Sequence, residues 1–345
     1  MKIGVIAEFE LFNSNRDLIH EPYVELRKYF YRNNSQFDII DNLKVNNYDY
    51  FLFFKLEWRL LFKLLLQKKL DKTIYIQLEP PAVISYHESK KIKRISKIFG
   101  KILTWNDEIV DKKKFFKFYI PMPNNKYEVN VLFENKKLLC NISGNKSSKN
   151  LNELYSKRIE AIKFFEKKCL KNFDLYGIGW GKKEFPSYKG KINNKNEVLK
   201  NYKFSICYEN QSHIKGYVTE KIFDCFYAKT IPIYWGADNI ENYVPKDCYI
   251  DKREFKTYEE LYEYINNMTE EEYNRKIKNI EKYLKSESYS KFLGKEFSET
   301  VYDVIINKKT EEINYLQASY IFFSNIFFRG GSKILRKLKF YYKEE

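Results

Sequence analysis

Glycine and proline are scarce in this chain of 345 residues, at 12 and 8 positions, which excludes collagen-like and glycine-linker architectures. Cysteine is scarce too. The five thiols (Cys140, Cys169, Cys207, Cys225 and Cys248) are odd in number, widely spaced and form no C-x-x-C. They read as reduced, mostly buried thiols of a cytosolic protein, not as a disulfide frame or zinc site. Three histidines, His20, His87 and His213, are scattered, so no metal site is expected. Long apolar runs are missing as well. Ile3–Ala7 stops at Glu8, too short for a signal peptide, and residues 51–66 carry Lys55, Glu57, Arg59 and Lys63, which rules out a span. There is no G-x-x-x-x-G-K-[ST] loop and no Asp-x-Asp, which removes the two commonest phosphate and metal–phosphate signatures.

What is present is apolar and basic. Hydrophobic residues make up 44% and aromatic residues 18% of the chain, enough to exclude a disordered polymer. The length suffices for two α/β domains. The net charge of +16 speaks to partners, not to fold. Residues 88–117 hold ten Lys/Arg against four acids. This run reads as a solvated helix face and loop, or as attraction of an anionic acceptor or membrane surface. Charge alone also raises a nucleic-acid binding protein, but no binding motif accompanies it.

The first part alternates short apolar runs with polar helical stretches: Ile3–Ala7, Tyr50–Phe54, Thr73–Leu78 and Ile102–Trp105, the cadence of βαβ units. Pro121-Met122-Pro123-Asn124-Asn125 reads as a crossing between domains. A second series follows. Strands are expected at Leu138–Ile142, Phe173–Tyr176, Phe204–Tyr208 and Thr230–Trp235, and helices at Leu154–Leu170, Thr219–Lys229, Tyr258–Lys285 and from Glu296 onward. Gly177-x-Gly179-x-Gly181 lacks dinucleotide-fingerprint spacing and reads as a strand-terminating turn. The expected architecture is α/β of the GT-B kind, two Rossmann-like domains facing an interdomain cleft. Residues 1–130 are expected to form the first domain, 131–308 the second and 309–345 an aromatic, basic helical tail.

The strongest signal lies at residues 202–245. A buried strand brings Glu209 and Asn210 to its carboxyl end, a loop follows, and Thr219 is placed to cap a helix starting at Glu220 and Lys221. Free N–H groups at a helix start suit a diphosphate. Lys221 adds a cation there, and Glu220 is placed to accept from sugar hydroxyls. The bland alternative is a capped surface helix.

Tyr202-Lys203-Phe204, Glu209-Asn210, Tyr217-Val218-Thr219-Glu220-Lys221-Ile222 and Ile231-Pro232-Ile233-Tyr234-Trp235-Gly236 together resemble the signature of the α-1,3/1,4-fucosyltransferases, glycosyltransferase family ten, most of all its bacterial members. In the first domain, Leu78-Glu79-Pro80-Pro81 looks like the family's Glu-Ser-Pro segment. The resemblance implies an inverting transferase that moves fucose from GDP-fucose to a glycan hydroxyl, in an α-1,3 linkage to a GlcNAc-type residue of a bacterial surface glycan such as lipopolysaccharide. No cofactor or metal is implied. Transfer of another GDP-activated sugar is the alternative. By the same resemblance residues 1–130 are the acceptor-side domain and 131–308 the donor-binding domain, Arg158 and Lys221 hold the phosphates, Asn210, Tyr217, Val218, Thr219 and Glu220 line the guanosine and fucose sites, and Glu79 is the general base. Two departures are visible: six residues, one more than usual, separate Asn210 from Tyr217, and Pro80 stands where Ser is usual.

The tail joins an apolar part, Tyr320 to Phe328, to a basic part, residues 333–343. The apolar part fits either an interfacial helix on the anionic inner face of the cytoplasmic membrane or a closing helix across the cleft, and the basic part fits the membrane. Expected partners are therefore GDP-fucose, an oligosaccharide or glycolipid acceptor and that membrane surface. The expected place is cytoplasmic or peripheral.

Overall fold

The computed structural model describes residues 1–12, 20–40, 45, 47–124 and 129–324. Strands β1 (Lys2–Ile6), β2 (Gln36–Ile39), β3 (Tyr50–Phe53), β4 (Thr73–Gln77), β5 (Lys101–Thr104) and β6 (Phe115–Lys117) form one parallel sheet in the order β2-β1-β3-β4-β5-β6. Helices α1 (Glu21–Arg32), α2 (Trp58–Leu66) and α3 (Ser89–Ile95) cover its faces. Burial on both faces explains why β4 and β5 are buried at every position instead of alternating.

The second sheet contains β7 (Lys137–Ile142), β8 (Phe173–Tyr176), β9 (Tyr188–Gly190), β10 (Tyr202–Tyr208), β11 (Ile231–Trp235) and β12 (Ile250–Asp251), ordered β12-β11-β10-β7-β8-β9 and parallel throughout. Its helices are α4 (Tyr155–Cys169), α5 (Lys195–Leu199), α6 (Glu220–Tyr227), α7 (Tyr258–Asn266), α8 (Glu270–Tyr283) and α9 (Glu287–Ser290). The strand order reverses between β10 and β7, and ligands of open parallel sheets sit in the crevice at such a switch point. Two parallel sheets of Rossmann type, one in each half of the chain, are the expected GT-B layout.

Residues 258–285, expected as one helix, divide in two because Thr269 caps α8 with a capping box closed by Glu272. Gly177 ends β8 at φ +129, where an added Cβ would lie 1.9 Å from the Ser143 carbonyl, so it is a structural turn as the sequence implies.

The end of the chain returns to the first domain. Helix α10 (Gly294–Ile306), drawn with residues 131–308 from the sequence, buries Phe297, Val301, Val304 and Ile305 among Tyr23, Leu26 and Phe30 of α1. A helix over residues 315–324 lays Ala318, Ile321 and Phe322 on the other face of the same sheet, with Phe322 edge-on to Trp58. Of the described apolar residues 320–323, Ile321 and Phe322 thus pack on the first domain, while Tyr320 and Phe323 are exposed. The basic stretch 333–343, read as membrane-facing, lies outside the described residues. Among the described residues no helix is long and apolar enough to cross a membrane.

The basic run 88–117 is not one solvated face. Lys101 is buried and donates to the carbonyls of Val304 and Ile305 at 2.7 and 3.2 Å, neutralising the C-terminal end of α10. Lys114 is buried, and Lys117 faces the domain interface.

Candidate active site

Each sheet ends in a loop that faces the other domain, and side chains from both meet there. On the donor side β10 delivers Glu209, which is fully buried. Its carboxylate accepts from the Thr219 amide at 2.9 Å, from the Thr219 hydroxyl at 2.8 Å and from Lys221 Nζ at 2.9 Å. Thr219 is the N-cap residue of α6, in extended backbone geometry. A buried charge is tolerable only when paired and hydrogen-bonded, and Glu209 meets both conditions through the residues that start α6. It therefore fixes where that helix N-terminus and its cation stand. Sequence reasoning brought Glu209 to the strand end but gave it no role. Its place in the Glu209-Asn210 part of the family signature was the signal in the sequence that hinted at one.

Lys221 also lies 2.9 Å from the Thr219 hydroxyl and 3.7 Å from Glu220. Burial pulls its ammonium down, but Glu209 and Glu220 outweigh this and raise it well above the ordinary lysine value, so it is a fixed cation. Burial pushes the Glu220 carboxyl up, and Lys221, Lys195 and hydrogen bonds at the helix start bring it down to about 2. Lys195, held 2.7 Å from Asp224, is a second cation that the sequence did not single out. Arg158 on α4 is buried, and its Nη2 donates to the carbonyls of Tyr208 and Glu209 at 2.8 and 3.3 Å. It is anchored by backbone oxygens, not neutralised by a carboxylate, and keeps its charge despite burial.

The other residues singled out from the sequence occupy different depths. Asn210 is half-buried, its amide 3.5 Å from the Tyr217 hydroxyl. Tyr217 is buried with its ring 4.8 Å from Trp105 of the first domain. Val218 is buried in the core of the second domain, so its side chain shapes the loop from inside. His213 is exposed, 3.8 Å from Asp238.

Glu79 comes from the first domain, two residues beyond β4, and is half-buried. Burial raises its carboxyl above the ordinary glutamate value; Lys221 and Lys146 oppose this, while Glu220 and Glu209 add to it. Those four charges all belong to the second domain, so Glu79 and the donor-side cluster share one cleft. The Glu79 loop is tied across it: the Ala82 amide donates to Gln211 Oε1 at 2.8 Å, and the Ser148 hydroxyl donates to the Ala82 carbonyl at 2.7 Å. A second tie joins Asp107 and Lys117 of the first domain to Asn239 and Tyr243. Lys117 Nζ lies 2.6 Å from both Asp107 and the Tyr243 hydroxyl, and Asn239 donates to Asp107 at 2.8 Å. Gly216 sits inside that tie at φ +85, 2.3 Å (by an added Cβ) from the Trp105 carbonyl. Among the described residues no group of His, Cys, Asp and Glu is arranged to hold a metal.

A carboxyl raised by burial on one wall, with a helix N-terminus and three cations on the other, fits transfer of a group from a diphosphate to a hydroxyl. The chain matches the family model "Glycosyltransferase family 10 (fucosyltransferase) C-term" over residues 133–321, more than half its length. It is 44% identical over 74 residues to the alpha-(1,3)-fucosyltransferase FucT of Helicobacter pylori, a stretch covering 21% of this chain and 15% of that protein. It is 35% identical over 71 residues to the alpha-(1,4)-fucosyltransferase of Arabidopsis thaliana, covering 21% and 18%. The chain thus matches less than a fifth of the length of these relatives. In fold it is similar to the crystal structure of an alpha1,3-fucosyltransferase with GDP-fucose, with a TM-score of 0.55 over 90% of this chain and 93% of that one at 16% identity. It is also similar to T4 phage beta-glucosyltransferase, with a TM-score of 0.53 over 89% and 100% at 14% identity.

Proposed function

From a chain that belongs to glycosyltransferase family 10, the fucosyltransferases, we propose an inverting enzyme that moves fucose from GDP-fucose to a hydroxyl of a glycan. Three cations from the second domain (Arg158, Lys195 and Lys221) with the α6 N-terminus form the seat for the diphosphate. Glu220 accepts from fucose hydroxyls, and Asn210, Tyr217, Val218 and Thr219 shape the pocket around the donor. The observation that carries the reading is the electrostatic environment of Glu79: a first-domain carboxyl whose charged neighbours are Lys221, Lys146, Glu220 and Glu209 of the donor domain.

The chemistry follows from that placement. The acceptor oxygen attacks the anomeric carbon from the face opposite the diphosphate, while the bond from that carbon to the β-phosphate oxygen breaks. Glu79 takes the proton of the acceptor hydroxyl. GDP leaves with its added negative charge held by Arg158 and Lys221, so no second carboxylic acid is needed. A base raised by burial toward the working pH is better matched to its task than an ordinary glutamate. The acceptor belongs to a bacterial surface glycan with a GlcNAc-type residue, reached from the cytoplasm or from the inner face of its membrane.

The test pairs mass spectrometry of galactose- and N-acetylglucosamine-containing acceptors with GDP-fucose and, in a parallel arm, GDP-mannose. Fucosylated product from the first arm only is expected. Glu79→Gln keeps GDP binding and loses turnover by about a hundredfold or more, whereas Arg158→Ala and Glu220→Ala abolish transfer. Product from GDP-mannose alone would transfer the reading to another GDP-sugar, and near-normal turnover of Glu79→Gln would remove Glu79 as the base.

A further inference from the structure

His87 plays no part in the mechanism above, yet it is buried to 1% exposure and makes two short hydrogen bonds. Its Nδ1 lies 2.6 Å from the backbone carbonyl of Glu79, and its Nε2 lies 2.6 Å from the hydroxyl of Tyr75 in β4. A carbonyl only accepts, so Nδ1 carries the hydrogen. Nε2 is then bare and accepts from Tyr75 O–H, which fixes one neutral tautomer. Burial draws the ring down to about 4, against the raising effect of its bond to Glu79. The ring is held from the sides as well, by Tyr86 edge-on at 4.8 Å and by Tyr75 at 5.7 Å. Its own carbonyl accepts from Gln77 Nε2 at 3.4 Å, and Gln77 in turn accepts from Thr104 of β5 at 2.8 Å.

The residue after Glu79 gives this contact its meaning. Pro80 has no N–H, so the Glu79–Pro80 peptide plane can be anchored by a backbone hydrogen bond only through the Glu79 carbonyl oxygen. His87 takes that oxygen. The flanking peptide is anchored separately, by Trp105 Nε1 donating to the Leu78 carbonyl at 3.0 Å. With both planes fixed, the backbone angles of Glu79 are set, and with them the direction in which its carboxylate leaves the chain. We propose that His87 is a positioning residue: a neutral, single-tautomer donor that aims the Glu79 carboxylate at the acceptor hydroxyl. This rests on Glu79 being the base.

The experiment compares His87→Leu, His87→Asn and Tyr75→Phe in the full chain, using GDP-fucose and the best acceptor of the panel above. Asparagine places its Nδ2–H where the histidine Nδ1–H stands, and leucine fills the space without a donor. His87→Leu is expected to lower kcat by about 10- to 100-fold, the range that a 1 Å misplacement produces. The KM for GDP-fucose and the calorimetric Kd for GDP stay within about twofold of the parent, because the donor wall is untouched. His87→Asn recovers most of the loss, and Tyr75→Phe costs a fewfold. Equal losses in the leucine and asparagine variants, or a folded leucine variant within twofold of the parent, would overturn the proposal. If the leucine variant does not fold, the asparagine and Tyr75→Phe variants decide: loss of kcat in His87→Asn as large as that of Glu79→Gln, or no loss in Tyr75→Phe, sinks it. Glu79→Gln measured alongside separates the two failures. An active Glu79→Gln removes the base itself, while an inactive one beside an active His87→Leu removes only the positioning role.

Discussion

Replacing Glu209 by glutamine tests the donor wall most directly, because it keeps the shape and removes one charge. The Oε1 oxygen can still accept from the Thr219 amide at 2.9 Å, so the start of α6 is not lost. What goes is the charge facing Lys221 Nζ at 2.9 Å. Breaking a buried ion pair by removing one partner costs roughly 3–5 kcal/mol. Here the lysine side chain is 24% exposed and keeps Glu220 at 3.7 Å, which moves the expectation to the worth of one charged hydrogen bond, about 2 kcal/mol. At roughly 2–4 °C per kcal/mol for a domain of this size, the second domain melts about 4–8 °C lower. Scanning calorimetry of the parent and Glu209→Gln, each without and with saturating GDP, reads this out. The GDP-bound pair should differ by less, since the diphosphate restores negative charge opposite Lys221. A loss below about 0.5 kcal/mol would refute the pairing as the support of Lys221. A deficit that GDP leaves unchanged would refute Lys221 as a diphosphate ligand.

Gly216→Ala puts a Cβ 2.3 Å from the Trp105 carbonyl at a φ of +85, so it pushes the two domains apart. Turnover falls by at least about tenfold with a lower melting temperature, while Gly181→Ala, which meets nothing within 4 Å, is neutral in the same assays. The kcat–pH profile should lose rate on the acid side. Glu79 works ionised and burial raises its carboxyl above 4.5, so activity is full well above that raised value and falls as the pH drops through it; an acid limb at or below 4.5 in kcat measured between pH 4 and 8 contradicts the placement. All five thiols are free, four of them buried, and burial pushes Cys169 and Cys248 up to about 11. Native protein at pH 7.5 should therefore react with Ellman's reagent slowly, the half-buried Cys169 first, and release five equivalents in urea; rapid native reaction of several thiols would contradict the packing.

The elements of the donor domain were legible because their signals are local. β8 runs over the residues expected, Phe173–Tyr176, and α6 follows its Thr219 cap directly. Strands β2, β6, β9 and β12 are two to four residues long, too short for a period to show, and they gain stability from neighbours in the sheet. The linked motifs between Tyr202 and Gly236 carried the family because many site residues lie close together in the chain. Their placement at the switch point between β10 and β7 needed the strand order.

The sequence by itself determined the α/β class, the two-sheet division, the family and the helix start that carries Thr219, Glu220 and Lys221. These depend on periodicity, capping and motif spacing within a few residues of one another. Tertiary structure decided what distant pairs decide. Lys101 could be a surface cation until α10 crossed back to lay the Val304 carbonyl 2.7 Å from it. Lys117 was one charge in a basic run until Tyr243 came within 2.6 Å. Glu209 was legible as a strand-end signature residue but not by what it holds, and His87 read as an ordinary polar residue, because nothing beside either in sequence shows its partners. A buried charge or ring takes its role from the groups that must satisfy it, and only the fold says which groups those are.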